Sequence, residues 1–340
     1  MKYIKFTNIK FVIIITLFIM FILTNFYKES IIRKFQNVLT KYEFKEILFP
    51  EYLSGYRFID NPNKMTINKR KLAYTNKNLK FLLAGHIIGN PNFYGYKNAI
   101  SFRKNIKYFN EMNLDFIILL GDIISEPTKE YINALKNDIL SKLSIPVFNA
   151  VGNHDIGQYN TNINGRSNYE NNFGPTVFSF IYKNNLFIFF DTNIKYYDLS
   201  KYQIKFAKRI IHENINKINN INIFMHFVLF FNEPGSSRNK WVVNNGISSN
   251  NFFDFINEYI NNVSKKIPVN IFAGDHGIDG KFNPYYKYDS KNNVRYFATG
   301  LGDTFNDNVL LIEENNNKLK ITPIFIGKDK IVVKENYFER

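Results

Sequence analysis

Five short apolar runs set the rhythm of the chain: Leu79–Ala84, Asp115–Leu120, Ile145–Val151, Ile221–Met225 and Val269–Ala273. Their β-branched and aromatic residues, unbroken by a 3.6-residue period, predict strands buried on both faces. Between them the apolar positions recur with helical spacing, predicting helices over Lys97–Met112, Lys129–Leu143, Ser200–Ile218 and Asn250–Val263. After Gly277 strands dominate, at Val294–Thr299, Asn308–Glu313, Leu319–Ile326 and Ile331–Val333. Alternating strand and helix followed by a run of strands is an α/β (α+β) pattern, with one domain from Leu79 to Arg340. No internal repeat is present.

Each of the five runs ends in residues that suit chemistry better than a turn. Ala84 leads into Gly85-His86, Leu120 into Gly121-Asp122, and Val151 into Gly152-Asn153-His154-Asp155. Met225 leads into His226, and Ala273 into Gly274-Asp275-His276-Gly277. The carboxyl edge of an open α/β sheet is where ligands bind. Of five histidines, four sit at these strand ends; His212 falls in a helix and reads as a surface residue. Gly-Asn alone is ordinary turn chemistry. At a strand end, however, Gly152-Asn153-His154-Asp155 offers an amide oxygen to a metal, an imidazole for proton transfer, and a carboxylate to hold its tautomer.

This order of blocks resembles the calcineurin-like metallophosphoesterases, purple-acid-phosphatase-type enzymes among them. Their blocks run Asp-x-His, Gly-Asp, Gly-Asn-His-Asp/Glu, His and Gly-His-x-His, each after a strand. Asn172 to Phe180, Phe189-Phe190-Asp191-Thr192 and Leu199 to Gln203 add to the likeness, which runs from about Leu79 to Asp303. The resemblance implies a four-layer αββα sandwich with a two-metal site at the strand ends. It also implies hydrolysis of a phosphomonoester or phosphodiester by metal-activated water.

Carried over residue by residue, the resemblance assigns Asp122 to the carboxylate between two metals, Asn153 and His226 to the second metal, and His86 to the first. His154 takes the place of the histidine that serves the leaving group, and Asp155 that of its orienting partner. Three positions depart from the pattern. Ala84 stands where the first block has its aspartate, and Asp275 and Gly277 replace the two histidines of the last block. His276 is off by one, so an extended strand end turns it to the other side. The first metal then keeps His86 and Asp122, and the second keeps Asp122, Asn153, His226 and Asp275. That oxygen-rich set implies one tightly held divalent ion (Mn, Mg, Fe or Zn) and a weak or absent second.

The amino terminus adds a location. Lys2, Lys5 and Lys10 form a basic segment over 1–10, followed by an apolar run over 11–27. At about 17 residues the run is near the lower limit for a membrane span. No small-x-small cleavage site follows it, which favours an uncleaved, single-pass signal anchor over a cleaved signal peptide. Residues 28–78 read as a stem with a helical pattern near Ile31–Phe44, and the domain at 79–340 is expected outside the cytoplasm. The net charge is +15, and residues before Leu79 hold 14 Lys and Arg against 5 Asp and Glu. The excess therefore lies beside the anchor, where it suits anionic headgroups. Lys69-Arg70-Lys71 is the one tight basic run, so no nucleic-acid partner is expected. The chain has no cysteine, hence no disulfide and no thiolate ligand. Aromatic residues make up 17%, mostly core, with Tyr94, Tyr96, Tyr159, Tyr169 and Trp241 able to reach the pocket rim.

Two functional readings stand at this level. One is a membrane-anchored, metal-dependent phosphoesterase. The other is a catalytically silent relative that binds a phosphorylated, polysaccharide or protein partner. His154 and Asp155 favour the first; Ala84 and Gly277 favour the second.

Overall fold

The computed structural model describes residues 56–73, 78–90, 95, 97–157, 165–194, 198–230, 250–276, 284–315, 318–327 and 330–338. The strands are β1 (Arg57–Phe58), β2 (Lys80–Ala84), β3 (Phe116–Leu120), β4 (Val147–Ala150), β5 (Phe178–Tyr182), β6 (Asn185–Phe189) and β7 (Asn220–Met225). They continue as β8 (Val269–Ala273), β9 (Tyr285–Asp289), β10 (Val294–Ala298), β11 (Asn308–Asn315), β12 (Lys318–Phe325) and β13 (Val332–Val333). The helices are α1 (Ile100–Lys104), α2 (Ile106–Glu111), α3 (Lys129–Leu135), α4 (Gly165–Phe173), α5 (Lys201–Asn214) and α6 (Asn250–Phe255).

Two mixed sheets result. One has the order β1-β5-β6-β7-β8-β10-β9 and the other β13-β12-β11-β2-β3-β4. Within them β2, β3 and β4 run parallel, as do β6, β7 and β8. Their carboxyl ends, with the polar residues that follow, therefore gather at one edge of each sheet. Helices cover both outer faces. Phe206, Ala207, Ile210 and Ile211 of α5 and Phe252 and Phe255 of α6 pack on Leu186, Ile223 and Ile271. Phe102, Phe109, Ile132, Leu135, Tyr169 and Phe173 pack on Leu82, Ile117 and Val147. The α5 sequence dictates its own placement: Gln203, Phe206, Ala207, Ile210 and Ile211 share one face. Ser200 caps it by accepting from the Gln203 N–H at 3.3 Å.

Between the sheets lies a third core in which aromatic rings alternate with leucine and isoleucine side chains. Phe178, Phe189, Phe224, Phe272 and Phe297 stack in succession across β5, β6, β7, β8 and β10, with centroids 4.2, 4.9, 5.3 and 5.2 Å apart. Tyr286 on β9 extends the stack at 4.9 Å from Phe297. Phe81, Phe116 and Phe148 face it from the second sheet. Period-two alternation puts these rings inward while Ile221, Ile223 and Met225 of the same strand face the helices.

The structure departs from the sequence pattern at the domain start and in several elements. The domain does not begin at Leu79. The compact unit starts at Ser54, because β1 pairs with β5 and Met65, Ile67 and Leu72 are buried in the cores. The Ile67 N–H donates to the Val147 carbonyl and the Val147 N–H to Asn68 Oδ1, at 2.8 and 3.1 Å. Residues 56–72, part of the 28–78 stretch that reads as a stem, join the domain through contacts with a strand distant in sequence, which no local pattern reveals. The hairpin of β5 and β6, the half-exposed β9, and α4 were likewise not expected. β9 reads Tyr-Tyr-Lys-Tyr-Asp, without the apolar run that marks a buried strand. The span expected over 11–27 and the helix near Ile31–Phe44 lie outside the described residues. Among the described residues no helix is long and apolar enough to cross a membrane.

Candidate metal centre

Among the described residues, those singled out at the strand ends are buried or half-buried at the carboxyl edges of β2, β3, β4, β7 and β8. Asp122 is the hub. Its Oδ2 lies 3.2 Å from His226 Nε2 and 3.6 Å from His86 Nε2, and its Oδ1 accepts the His154 backbone N–H at 3.0 Å. His226 Nε2 is also 3.0 Å from Asn153 Oδ1 and 4.0 Å from Asp275 Oδ1. One ligand atom each from His86, Asp122 and Asp275 falls within 4.8 Å of the others, the spacing of groups around one ion.

Backbone carbonyls aim both imidazoles. His226 Nδ1 is 2.9 Å from the Leu120 carbonyl and His86 Nδ1 is 2.9 Å from the Leu301 carbonyl. A carbonyl only accepts, so each Nδ1 carries the hydrogen and each Nε2 is turned to the cluster. The backbone is strained to reach this arrangement. His86 and Asp122 take φ of 50° and 52°, a left-handed conformation that costs a non-glycine residue about 1–3 kcal/mol. Two glycines make room. A Cβ on Gly121 would sit 2.5 Å from His226 Nδ1, and one on Gly152 would sit 2.2 Å from Asp122 Oδ1.

The charges are tightly linked. Burial pushes the Asp122 carboxyl up, but the His226 imidazole at hydrogen-bonding distance, with His154 and His86, holds it below the usual carboxylate range. Burial pulls the other way on His226, yet the Asp122 charge and hydrogen bond raise it to about 10. In the metal-free cluster the His226 imidazolium thus supplies the positive charge that the carboxylates demand.

The residues present fit a divalent cation. Asp275 Oδ2 is buried with no hydrogen-bond partner among the described residues, and two Nε2 atoms converge on the Asp122 carboxylate. Nitrogen and carboxylate oxygen donors without sulfur suit Mn, Mg, Fe or Zn. One assignment is corrected by this geometry. Asp275 groups with His86 and Asp122, not only with the Asn153–His226 side, so the half of the cluster expected to be thin has three donors. Asp275 reaches it because the Asp275 N–H donates to the His226 carbonyl at 2.9 Å, closing β8 against β7. Ala84 is buried and brings no donor. His276 is buried and lies edge-on to Tyr285, outside that group, while Gly277 lies outside the described residues.

Asp155 is the clearest correction. It does not orient His154. Its two oxygens accept the backbone N–H groups of Asp122, Ile123, Ile124 and Gly152 at 2.8–3.1 Å. Burial and the nearby Asp122 charge raise its carboxyl to about 6 despite those bonds. Its place is to clamp the β3 and β4 ends together. His154 is aimed instead by the Ser125 carbonyl, 3.0 Å from Nδ1. The carbonyls of Leu120, Ser125 and Leu301 were beyond sequence reasoning, because every residue has a carbonyl and only the fold selects one. Tyr169, a candidate rim residue, is buried in α4 and its hydroxyl accepts from Asn149 at 2.7 Å. Tyr94, Tyr96, Tyr159 and Trp241 lie outside the described residues. His212 is exposed on α5, as expected.

Arg166 and Asp191 form an ion pair that no sequence pattern links. The Arg166 Nη1 donates to Asp191 and, at 3.1 Å, to Thr176 Oγ1. Gln203 holds the backbone of Asp191 in both directions, at 2.8 and 2.9 Å. Asn193 then donates to the Val151 carbonyl at 3.3 Å, bracing the segment that leads into Gly152.

Comparison with solved structures gives the fold. A dimetal phosphatase from Danio rerio aligns over 76% of this chain and 99% of its own, at 10% identity and a TM-score of 0.50. A purple acid phosphatase from seeds of yellow lupin (Lupinus luteus) aligns over 78% of this chain at 12% identity and a TM-score of 0.55. This chain has the calcineurin-like metallophosphoesterase fold. The match spans about half of the lupin enzyme's own length, 54%. No family model and no curated protein matches the sequence. At such identities the likeness speaks for the fold alone.

Proposed function

We propose that the protein is a membrane-anchored, metal-dependent phosphoesterase. The observation that carries this reading is the convergence of His86 Nε2 and His226 Nε2 on one oxygen of Asp122, beside the unpartnered oxygen of Asp275. His86, Asp122 and Asp275 would hold a divalent cation, with His226 and Asn153 adjoining it. When bound, such a cation acidifies water and offsets charge on a phosphoryl group.

The chain's own residues supply the rest. Asp122 sets the negative charge of the cluster, and Asp155 fixes its backbone through the Asp122 and Ile123 N–H groups. His154, with Nδ1 tied to a carbonyl, can offer Nε2 as the proton donor to a departing oxygen. The substrate class is a phosphomonoester or phosphodiester. The anchor at 11–27 and the extracytoplasmic placement of the domain rest on the basic n-region and the apolar run that follows it.

The test pairs activity with metal content. Wild-type protein loaded with Mn should hydrolyse an aryl phosphate, and Asp122→Ala should lose both turnover and bound metal. If metal-loaded wild type turns over no faster than Asp122→Ala, the enzyme reading fails and the silent binder takes its place. Protease added to intact cells should digest the domain; protection would contradict the topology.

A further inference from the structure

At the amino-terminal ends of the strands, away from the ionised cluster, a polar row runs across three strands. Asn270 Nδ2 donates to Asn222 Oδ1 at 2.9 Å, and Arg295 Nε donates to Asn270 Oδ1 at 2.8 Å. Arg295 Nη1 donates to the Leu319 carbonyl at 2.7 Å, tying β10 to β12 across the open side of the sandwich. Both acceptors are neutral. A guanidinium has five N–H donors, so three remain without an acceptor among the described residues. No carboxylate of the described residues pairs with Arg295, although the side chain is largely withdrawn from water. Burial lowers its pKa from the ordinary guanidinium value, offset only by the Tyr286 and Tyr288 hydroxyls. A half-buried cation with no anion among the described residues is an unfavourable arrangement for structure alone.

Arg295 lines a recess of about 430 Å³. Its walls include Tyr286 and Phe338, with ring centroids 5.0 Å apart, and its rim carries Lys318 and Lys320. Lys320 is paired with Glu335, whereas Lys318 has no carboxylate partner among the described residues. The purely structural account, that Arg295 is a strut between β10 and β12, explains the bonds to Asn270 and Leu319. The guanidinium also lies over the Phe297 ring, 6.0 Å from its centroid, but neither this nor the strut explains the three N–H groups without an acceptor among the described residues. Planar guanidinium favours two-point contact with an oxyanion, and aromatic walls favour a flat apolar body.

We propose that this recess is a second ligand site, separate from the metal cluster, for a small oxyanion borne on a flat apolar group. Arg295 grips the oxyanion, Lys318 adds charge at the rim, and Tyr286 and Phe338 cover the apolar part. Phosphoryl and carboxylate ligands share this chemistry. The test is calorimetric titration of the full chain in detergent with phenylphosphonate and, separately, with benzoate, with and without EDTA. Binding that survives EDTA and weakens at least tenfold in Lys318→Glu, with unchanged metal content and melting temperature, supports the site. Arg295→Gln should abolish it. Tighter binding of phenylphosphonate assigns a phosphoryl ligand, and the reverse a carboxylate. If neither probe binds at millimolar concentration, or Lys318→Glu leaves binding unchanged, the proposal is overturned.

Discussion

The same strands build two regions of opposite character. Below the edge, Phe81, Phe116, Phe224 and Phe272 fill the space between the sheets with fully buried rings. At the edge, only a few residues further along those strands, His86, Asp122, His226 and Asp275 are buried together, with strained backbone at His86 and Asp122. The aromatic layer is satisfied by packing alone. The cluster is satisfied only when charges and hydrogen bonds match, and it retains a carboxylate oxygen with no hydrogen-bond partner among the described residues. The difference shows how strain is tolerated: a rigid apolar floor holds polar groups where they would not settle by themselves.

The sharpest way to separate the two regions is to damage the floor. Phe224→Ala removes a ring stacked on Phe189 and Phe272 and should cost about 3–5 kcal/mol of stability, read from denaturant unfolding. A loss below about 1 kcal/mol would show that the layer repacks freely. Asp155→Asn comes next. It removes the charge from a clamp of four backbone N–H groups and should cost about 1–3 kcal/mol, with weaker metal retention as a consequence. A variant that keeps full stability and loses only activity would restore the orienting role for Asp155. His154→Ala should leave stability within about 1 kcal/mol, because the His154 N–H bond to Asp122 belongs to the backbone. Its effect should fall on turnover, about 10²–10⁴-fold for a poor leaving group and far less for nitrophenolate. Equal losses for both esters would remove His154 as the acid.

The smallest expected effect is a pH dependence. With His226 raised from 6.5 to about 10, the metal-free folded chain holds an extra proton between those values relative to the unfolded chain. That contribution to stability is complete below pH 6.5 and disappears as pH rises through about 10. A cation competes for the same Nε2, so metal affinity should rise by up to about tenfold per pH unit within the window. Titration with Mn at two pH values inside it checks this. A constant affinity would mean that His226 does not adjoin the bound ion.

Most of the fold could be read from the chain, because buried parallel strands announce themselves as apolar runs. β2, β3, β4, β7 and β8 all lie where those runs fall. β9 and β1 could not, since half-exposed or two-residue strands carry no such run and depend on partners far away in sequence. The cluster was legible in membership but not in grouping. Asp122, Asn153, His226, His86 and Asp275 were each visible as a polar residue after a strand. Whether Asp275 stands with His86 or only with His226 depends on how the ends of β7 and β8 close.

By itself the sequence determined which residues are chemical, because donor types and strand-end positions are local properties. It also determined the alternation that sends phenylalanines to one face of a strand and isoleucines to the other. What Asp155 holds, which carbonyls aim His86, His154 and His226, and the meeting of Arg166 with Asp191 follow from the packing of the folded chain. These choices depend on backbone groups brought together from distant segments. A backbone carbonyl or N–H is the same in every residue, so its selection comes from geometry and from nothing written in the side chains.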